Sequence, residues 1–291
     1  MLTIFTDTDT DITLDEANKY GIRLISMPYI IDDVEINPYI DFENFEYKEF
    51  YDKLRSGVLP KTCAINTQVY REYFEPELQK GNDILYIHFS RAMSGTFNAM
   101  DLTISELKEE YPERSIYTID TKGITILSNI IVKEIMDLFN KGMTLEEILE
   151  WSKTHIDNYA TYFFADTLKF FAKSGRVSNI AGIMGNIIGI KPIIYMNEEG
   201  KMVNIAKIKG RKKAILALIE YFDKLAVDIE NHRIIIGHTD SIENVQHLEE
   251  LLIEKYGNKL KIEHVVVNPT AGSHCGPDTV GIAFYASRKS L

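Results

Sequence analysis

The sequence predicts a two-lobed α/β protein, on three observations. Over the first 160 residues, short apolar runs alternate with amphipathic helical stretches, an order typical of a mostly parallel sheet with helices on both faces. From residue 161 a predicted hairpin joins strand–helix units, which indicates an α+β lobe. The 291 residues, 45% of them hydrophobic, suffice for two domains of ordinary size. We therefore expect domains at 1–160 and 161–291.

The elements of the first lobe follow from caps and apolar periodicity. Thr13 and Glu16 form a capping box that opens a short helix, and Gly21 is placed to end it. The other predicted strands and helices rest on apolar runs and on helical spacing. Strands are predicted at Leu2–Phe5, Ile22–Ile30, Ile84–Phe89 and Ser115–Ile119, and helices at Asp41–Leu54, Thr67–Lys80, Phe97–Glu110, Ile126–Phe139 and after the capping box at Thr144–Glu147.

The second lobe begins with an apolar strand and a glycine-rich helix. The four residues from Asn197 to Gly200 separate two apolar runs and predict a hairpin turn. Strands are predicted at Thr161–Phe164, Pro192–Met196, Met202–Ile208, Arg233–Gly237, Ile262–Val267 and Val280–Ala286, and helices at Ile180–Ile190, Arg211–Leu225 and Ile242–Tyr256.

Charge and cysteine content exclude several classes of protein. A net charge of −11 disfavours binding to a nucleic-acid backbone as the main role. Cys63 and Cys275 lie far apart, so no disulfide framework or structural zinc site is indicated, and a cytoplasmic location is the simplest expectation. No signal peptide is visible, and no apolar run is long enough for stable insertion into a membrane. The 16 Tyr and 14 Phe residues indicate either an ordinary core or the lining of an apolar cavity.

Two loops are candidates for a binding site. Ser94, Gly95 and Thr96 stand between a buried strand and a helix, where free backbone N–H groups favour an anion. An ordinary helix cap would look the same. His274 stands in a stretch with Gly272, Gly276 and Pro277, which predicts a tight loop; the histidine there either binds a ligand or stabilises the turn.

Metal and nucleotide motifs are missing or incomplete. The segment Asp7–Asp11 resembles the start of a calcium loop, but Ile12 and Asn18 stand where that loop needs glycine and glutamate. We therefore interpret it as an acidic turn and expect no metal site. The sequence has no GxxxxGK[ST], GxGxxG, HExxH or GxSxG motif. Arg176 and the cluster from Lys207 to Lys213 are either docking sites for an acidic partner or solvated surface.

Eight short motifs follow one another along the whole chain: Phe5–Thr8, Thr62–Asn66, Met93–Phe97, Ile119–Thr121, Ser174–Ser178, Gly185–Ile193, Gly210–Ala214 and Ser273–Asp278. This ordered set resembles the DegV family of bacterial fatty-acid-binding proteins. Two motifs depart from the family pattern: only Thr62 is kept in the second, and Cys275 and Asp278 differ in the last.

The resemblance implies a long-chain fatty acid in a cleft between two lobes, with no other cofactor and no catalytic residue in this chain. Its carboxylate would be held by Thr62 and Ser94, with the Gly95 N–H group and His274 close by. The expected ligand-binding residues are Thr62, Ser94, Gly95, Thr96, His274 and Gly276. The family also implies presentation of the lipid to a separate ATP-dependent fatty acid kinase subunit, for which Arg176, Lys209 and Arg211 are the docking candidates.

Two enzymatic alternatives remain beside the carrier. A related fold serves dihydroxyacetone kinases, so His274 could hold a small carbonyl compound. An acyl hydrolase using Ser94 and His274 is disfavoured, because GxSxG is missing and no orienting acid is identifiable. We expect the carrier rather than an enzyme.

Overall fold

A computed structural model describes residues 1–178 and 189–290, and its first lobe is built on a four-stranded parallel sheet. The strand order is β2-β1-β6-β7, as predicted for a parallel α/β lobe. The strands are β1 (Leu2–Asp7), β2 (Ile22–Ile25), β6 (Asp83–His88) and β7 (Ile116–Asp120). The helices are α1 (Leu14–Tyr20), α3 (Thr67–Gln79), α4 (Thr96–Glu110), α5 (Ile126–Asn140) and α6 (Leu145–His155).

A small antiparallel sheet interrupts this lobe, in the order β4-β3-β5. Its strands are β3 (Tyr29–Ile31), β4 (Val34–Ile36) and β5 (Lys61–Thr62), and α2 (Tyr47–Arg55) lies between the last two. The single strand predicted at Ile22–Ile30 is therefore wrong. The chain leaves the parallel sheet after Ile25, where the Met27 N–H group donates to Thr8 Oγ1 at 2.9 Å, and then enters the second sheet.

The helix predicted from Asp41 begins only at Tyr47. The Asp41 carboxylate accepts a hydrogen bond from the Asn37 N–H group at 2.6 Å, which holds a turn where the helix was expected. Phe42 and Phe45 nevertheless pack, with ring centroids 6.0 Å apart, so their spacing reflects burial of an irregular segment rather than a helical stripe.

The second lobe is built on a seven-stranded mixed sheet, which confirms the α+β prediction. The order is β13-β12-β14-β8-β10-β11-β9, with a hairpin at β10–β11 as predicted. The strands are β8 (Tyr159–Phe164), β9 (Val177–Ser178), β10 (Ile190–Met196), β11 (Met202–Lys209), β12 (Arg233–His238), β13 (Lys261–Val266) and β14 (Val280–Tyr285). The helices are α7 (Lys169–Ser174), α8 (Arg211–Leu225), α9 (Ile242–Tyr256) and α10 (Pro269–Cys275).

The helix predicted at Ile180–Ile190 lies almost entirely outside the described residues, and Ile190 begins β10. Across the described parts of the chain, no helix is long and apolar enough to cross a bilayer.

Helix α5 joins the two lobes. It packs on the turn after β1 and also on β8, β12 and β14 of the larger sheet, which is why nearly every side chain from Ile126 to Met136 is buried. An apolar surface on all sides is typical of a helix enclosed by other elements. Lys133, 4% exposed, reaches Glu16 in the first lobe at 2.6 Å and Glu263 in the second at 2.8 Å. The division into domains at residue 160 stays a prediction, although the strands change sheet at Tyr159.

Candidate functional site

The candidate site is a cavity between the carboxyl edge of the parallel sheet and one face of the seven-stranded sheet. The empty space among its lining atoms, with the open mouth included, is about 900 Å³. The turn after β1 contributes Asp9, the end of β6 contributes Phe89, and the loop after β7 contributes Ile124. Ligands in α/β proteins bind at this edge of a parallel sheet, because the loops there converge.

Most of the cavity wall is apolar, as a hydrocarbon ligand requires. Two glycines on the larger sheet let the wall close around it. A Cβ atom at Gly237 would lie 2.3 Å from Ile126 Cγ2, and one at Gly281 would lie 2.7 Å from Phe163 Cβ. The apolar lining consists of Met27, Phe89, Met93, Ile124, Ile126, Phe163, Met196, Met202, Val267 and Ala271.

A polar group stands in this wall where β5 meets α10. Thr62 Oγ1 and His274 Nε2 are 2.9 Å apart, although 212 residues separate them in the chain. Burial, together with the smaller effect of the nearby Arg176 guanidinium, lowers the pKa of His274 to about 4. The imidazole is therefore neutral at physiological pH, with one N–H donor and one acceptor nitrogen.

Ser94 and Arg176 line the same cavity. Ser94 follows a short 3-10 helix after β6, and its Oγ accepts a hydrogen bond from the Thr96 N–H group at 3.2 Å. Arg176 is exposed, and its guanidinium donates to the Ser174 carbonyl at 2.6 Å. Four residues predicted from sequence, from four separate segments, thus meet at one cavity.

Three other predicted ligand residues lie outside the lining. Gly95 is exposed at the N-cap of α4. Thr96 is buried, and its hydroxyl donates to the Ile65 carbonyl at 3.2 Å. Gly276 has φ +72°, and a Cβ atom there would lie 2.2 Å from the Phe170 ring, so its place follows from packing.

The loop predicted around His274 is wrong, because His274 and Cys275 form the last turn of α10. Asn268 caps this helix by accepting a hydrogen bond from the Ala271 N–H group at 2.9 Å, and Pro269 begins it. An Asn-Pro pair is a known start signal for a helix, and it was the sequence feature that could have identified α10.

Sequence reasoning missed three titratable residues of the lining: Asp9, Cys63 and Cys275. Burial raises the pKa of Asp9 to about 7, although the Asn268 amide opposes that shift. Burial likewise raises the pKa of Cys275 to about 12, so its thiol stays protonated. Within the parts of the chain described here, no group of three or more His, Cys, Asp or Glu side chains could hold a metal ion.

The two remaining docking candidates, Lys209 and Arg211, differ in their surroundings. Lys209 is exposed on β11. Arg211 begins α8 and donates to the Asp166 carboxylate at 2.6 Å, with a second carboxylate, that of Asp278, at 3.4 Å. A partner that uses Arg211 would therefore compete with two internal ion pairs.

Comparison with known proteins places the chain among similar sequences and structures. Residues 1–287 match the DegV family model. A DegV domain-containing protein of Clostridium perfringens is 33% identical over 287 residues, which are 98% of each chain. A fatty acid binding DegV family protein of Streptococcus agalactiae is 26% identical with a TM-score of 0.84, and the match covers 97% of this chain and 98% of that one.

A second similar structure is the B3 protein of the fatty acid kinase of Streptococcus pneumoniae, loaded with linoleic acid. It is 16% identical, with a TM-score of 0.81 over 98% of this chain and 99% of that one, and so shares the fold. The structural matches along nearly the whole chain agree with the fold described above. The chain belongs to the DegV family.

Proposed function

We propose that this protein binds a long-chain fatty acid in the cavity between its sheets, with the carboxylate against Thr62, Ser94 and His274. The observation that carries the proposal is the contact between Thr62 and His274 in an otherwise largely apolar wall. The fatty acids named for the Streptococcus structures, and the fold that this chain shares with them, support the same ligand class.

The physics of the cavity favours an acyl chain. Burial of each CH₂ group contributes about 0.8 kcal/mol, so a C16 chain offers roughly 11 kcal/mol before the costs of binding. The carboxylate needs hydrogen-bond donors. The Ser94 hydroxyl can supply one, and the Thr62–His274 pair, which uses one proton in its own contact, can supply another. The Arg176 guanidinium adds positive charge at the same cavity.

We infer further that the bound fatty acid is presented to a separate ATP-dependent kinase. The name of the Streptococcus pneumoniae neighbour supports this role. On this chain, Arg176 is both exposed and part of the cavity lining, so a partner that touches it also approaches the carboxylate. Lys209 offers a second exposed cation for an acidic partner.

Mass spectrometry of the purified protein tests the ligand class. We expect one C14–C18 fatty acid per chain in native spectra, and the same acid in an organic extract. If the extract holds no fatty acid and a small carbonyl compound is bound covalently to His274, the result contradicts the carrier proposal and favours the enzyme alternative. Incubation with the kinase, ATP and fatty acid then tests presentation: acyl phosphate should form only when this protein is present.

A further inference from the structure

One carboxyl group in the proposed fatty-acid cavity has an oxygen without a partner. Asp9 lines the cavity on the turn after β1 and is only 6% exposed. Its Oδ1 receives no hydrogen bond from any residue in 1–178 or 189–290. A buried carboxyl oxygen without a donor is unfavourable, and native proteins seldom keep one without a reason.

Three hydroxyl groups in the same lining donate to carbonyl groups of the protein. Thr161 Oγ1 donates to the Ile282 carbonyl at 3.1 Å, and Thr270 Oγ1 donates to the Met27 carbonyl at 2.7 Å. Thr279 Oγ1 donates to the Cys275 carbonyl at 3.3 Å. Among the described lining residues, Asp9 alone combines a buried side-chain oxygen with the lack of a hydrogen bond.

Asp9 lies beside the start of α10, away from the polar group at the end of that helix. The Asn268 amide, which caps α10, acts on the Asp9 carboxyl and donates to Asp11 Oδ1 at 2.7 Å. His274 follows Asn268 by six residues, which is about 9 Å along a helix axis. A fatty acid whose carboxylate lies at His274 and whose chain runs along α10 toward Asn268 would reach Asp9 in mid-chain.

We propose that the cavity prefers a long-chain fatty acid with a hydroxyl group in mid-chain, and that this hydroxyl donates to Asp9 Oδ1. The inference rests on the proposed function, because it places the carboxylate at Thr62 and His274. A methylene group or a double bond offers no donor to Asp9, whereas a hydroxyl supplies one. Both the ionised and the neutral carboxyl can accept at Oδ1, so the interaction is available near the raised pKa of Asp9.

Calorimetric titration of the delipidated full-length protein tests this preference. The probes are stearic acid, 10-hydroxystearic acid and 2-hydroxystearic acid, which share one chain length. The wild-type protein should bind 10-hydroxystearate about tenfold more tightly than stearate, as one buried hydrogen bond predicts, and the 2-hydroxy acid should lack this advantage. Asp9→Leu should remove the preference, and Asp9→Asn should retain most of it because the amide oxygen still accepts.

Thr103→Val is the matched control, because it removes a buried and satisfied hydroxyl that does not line the cavity, and the ratio of the two affinities should stay at the wild-type value. If stearate binds and 10-hydroxystearate shows no advantage, the inference is overturned while the proposed function stands. If neither acid binds, both fail together. Should Asp9→Leu not fold, the comparison of the three acids on the wild-type protein and on Asp9→Asn still decides.

Discussion

At the residue scale, the polar part of the candidate site contains neutral side chains in a largely apolar cavity wall. His274 is held neutral by burial, and Thr62 lies 2.9 Å from its ring. Neutral donors at a cavity wall suit a carboxylate, because they bind the anion without being drawn into internal ion pairs. The nearby ionised side chain, Arg176, remains exposed at the mouth.

Removal of either hydroxyl should weaken retention of the lipid. We expect Thr62→Ala and Ser94→Ala each to cost about 1–3 kcal/mol of fatty-acid binding, because a buried carboxylate loses a donor. Fatty-acid occupancy after gel filtration, measured by mass spectrometry, reports the loss. Ser56→Ala is a suitable control, since Ser56 is exposed and does not line the cavity. Full occupancy in both test variants would place the carboxylate elsewhere.

The pH dependence of stability provides a second prediction at this scale. Burial raises the pKa of Asp9 from 3.8 to about 7, so the folded protein binds a proton that the unfolded chain releases between these values. The contribution of Asp9 to stability is therefore present below pH 4 and is lost as the pH rises through 7. The asparagine in the Asp9→Asn variant cannot ionise. The melting temperature of this variant should therefore rise relative to that of the wild type as the pH increases from 5 to 8.5. A constant difference across that range would contradict the raised pKa.

At the element scale, long periodic segments could be predicted from sequence and short paired ones could not. Helices α8 and α9 and strand β6 lie where their apolar patterns indicate, to within one residue at each end. Strand β5 has two residues, and its pairing with β3 is set by contacts across 30 residues, so local periodicity carries no signal for it. The short helix α10 was hidden for the same reason, although its Asn-Pro cap was visible.

The residues of the candidate site likewise include some that could be predicted from sequence and some that could not. Ser94 could be predicted from its position between strand and helix, because that location is general to α/β proteins. Thr62 and His274 were paired through the family resemblance, since no spacing rule joins residues 212 positions apart. Asp9 was missed because a D-x-D pattern does not tell which carboxyl faces a cavity; that depends on the turn held by the Thr125 N–H group, which donates to the Asp9 carbonyl at 2.7 Å.

The end of α10 gives a prediction about packing. Gly276 and Gly175 both end helices with positive φ, +72° and +67°, but only Gly276 has a neighbour, Phe170, in the way of a Cβ atom. Gly175→Ala should therefore cost about 1 kcal/mol from backbone strain alone. Gly276→Ala should cost about 1–3 kcal/mol more, from the clash and from its ψ of 176°, because only glycine readily adopts that backbone, whereas Gly175 has a ψ of 14°. Urea denaturation compares the two, and equal losses would mean that neither Phe170 nor the backbone at Gly276 resists a Cβ atom.

At the scale of the whole molecule, the two lobes are joined by hydrogen bonds and ion pairs between their side chains and backbone. Tyr51 of α2 donates its hydroxyl to the Val267 carbonyl at 2.8 Å, and Lys133 of α5 bridges carboxylates from both lobes. A ligand between the sheets adds to these connections, because it contacts strands of each lobe at once.

Removal of the lipid should therefore lower the stability of both lobes together. Fatty acid that binds only the folded state, at 100 times its Kd, should raise the free energy of unfolding by about 2.7 kcal/mol. Differential scanning calorimetry of the delipidated protein, with and without added palmitate, should show a single transition that shifts upward as a whole. Thr62→Ala should show a smaller shift at the same palmitate concentration, because less of the folded protein is occupied. A shift confined to part of the transition would mean that the acyl chain contacts one lobe only and that the cavity between the sheets is not its site.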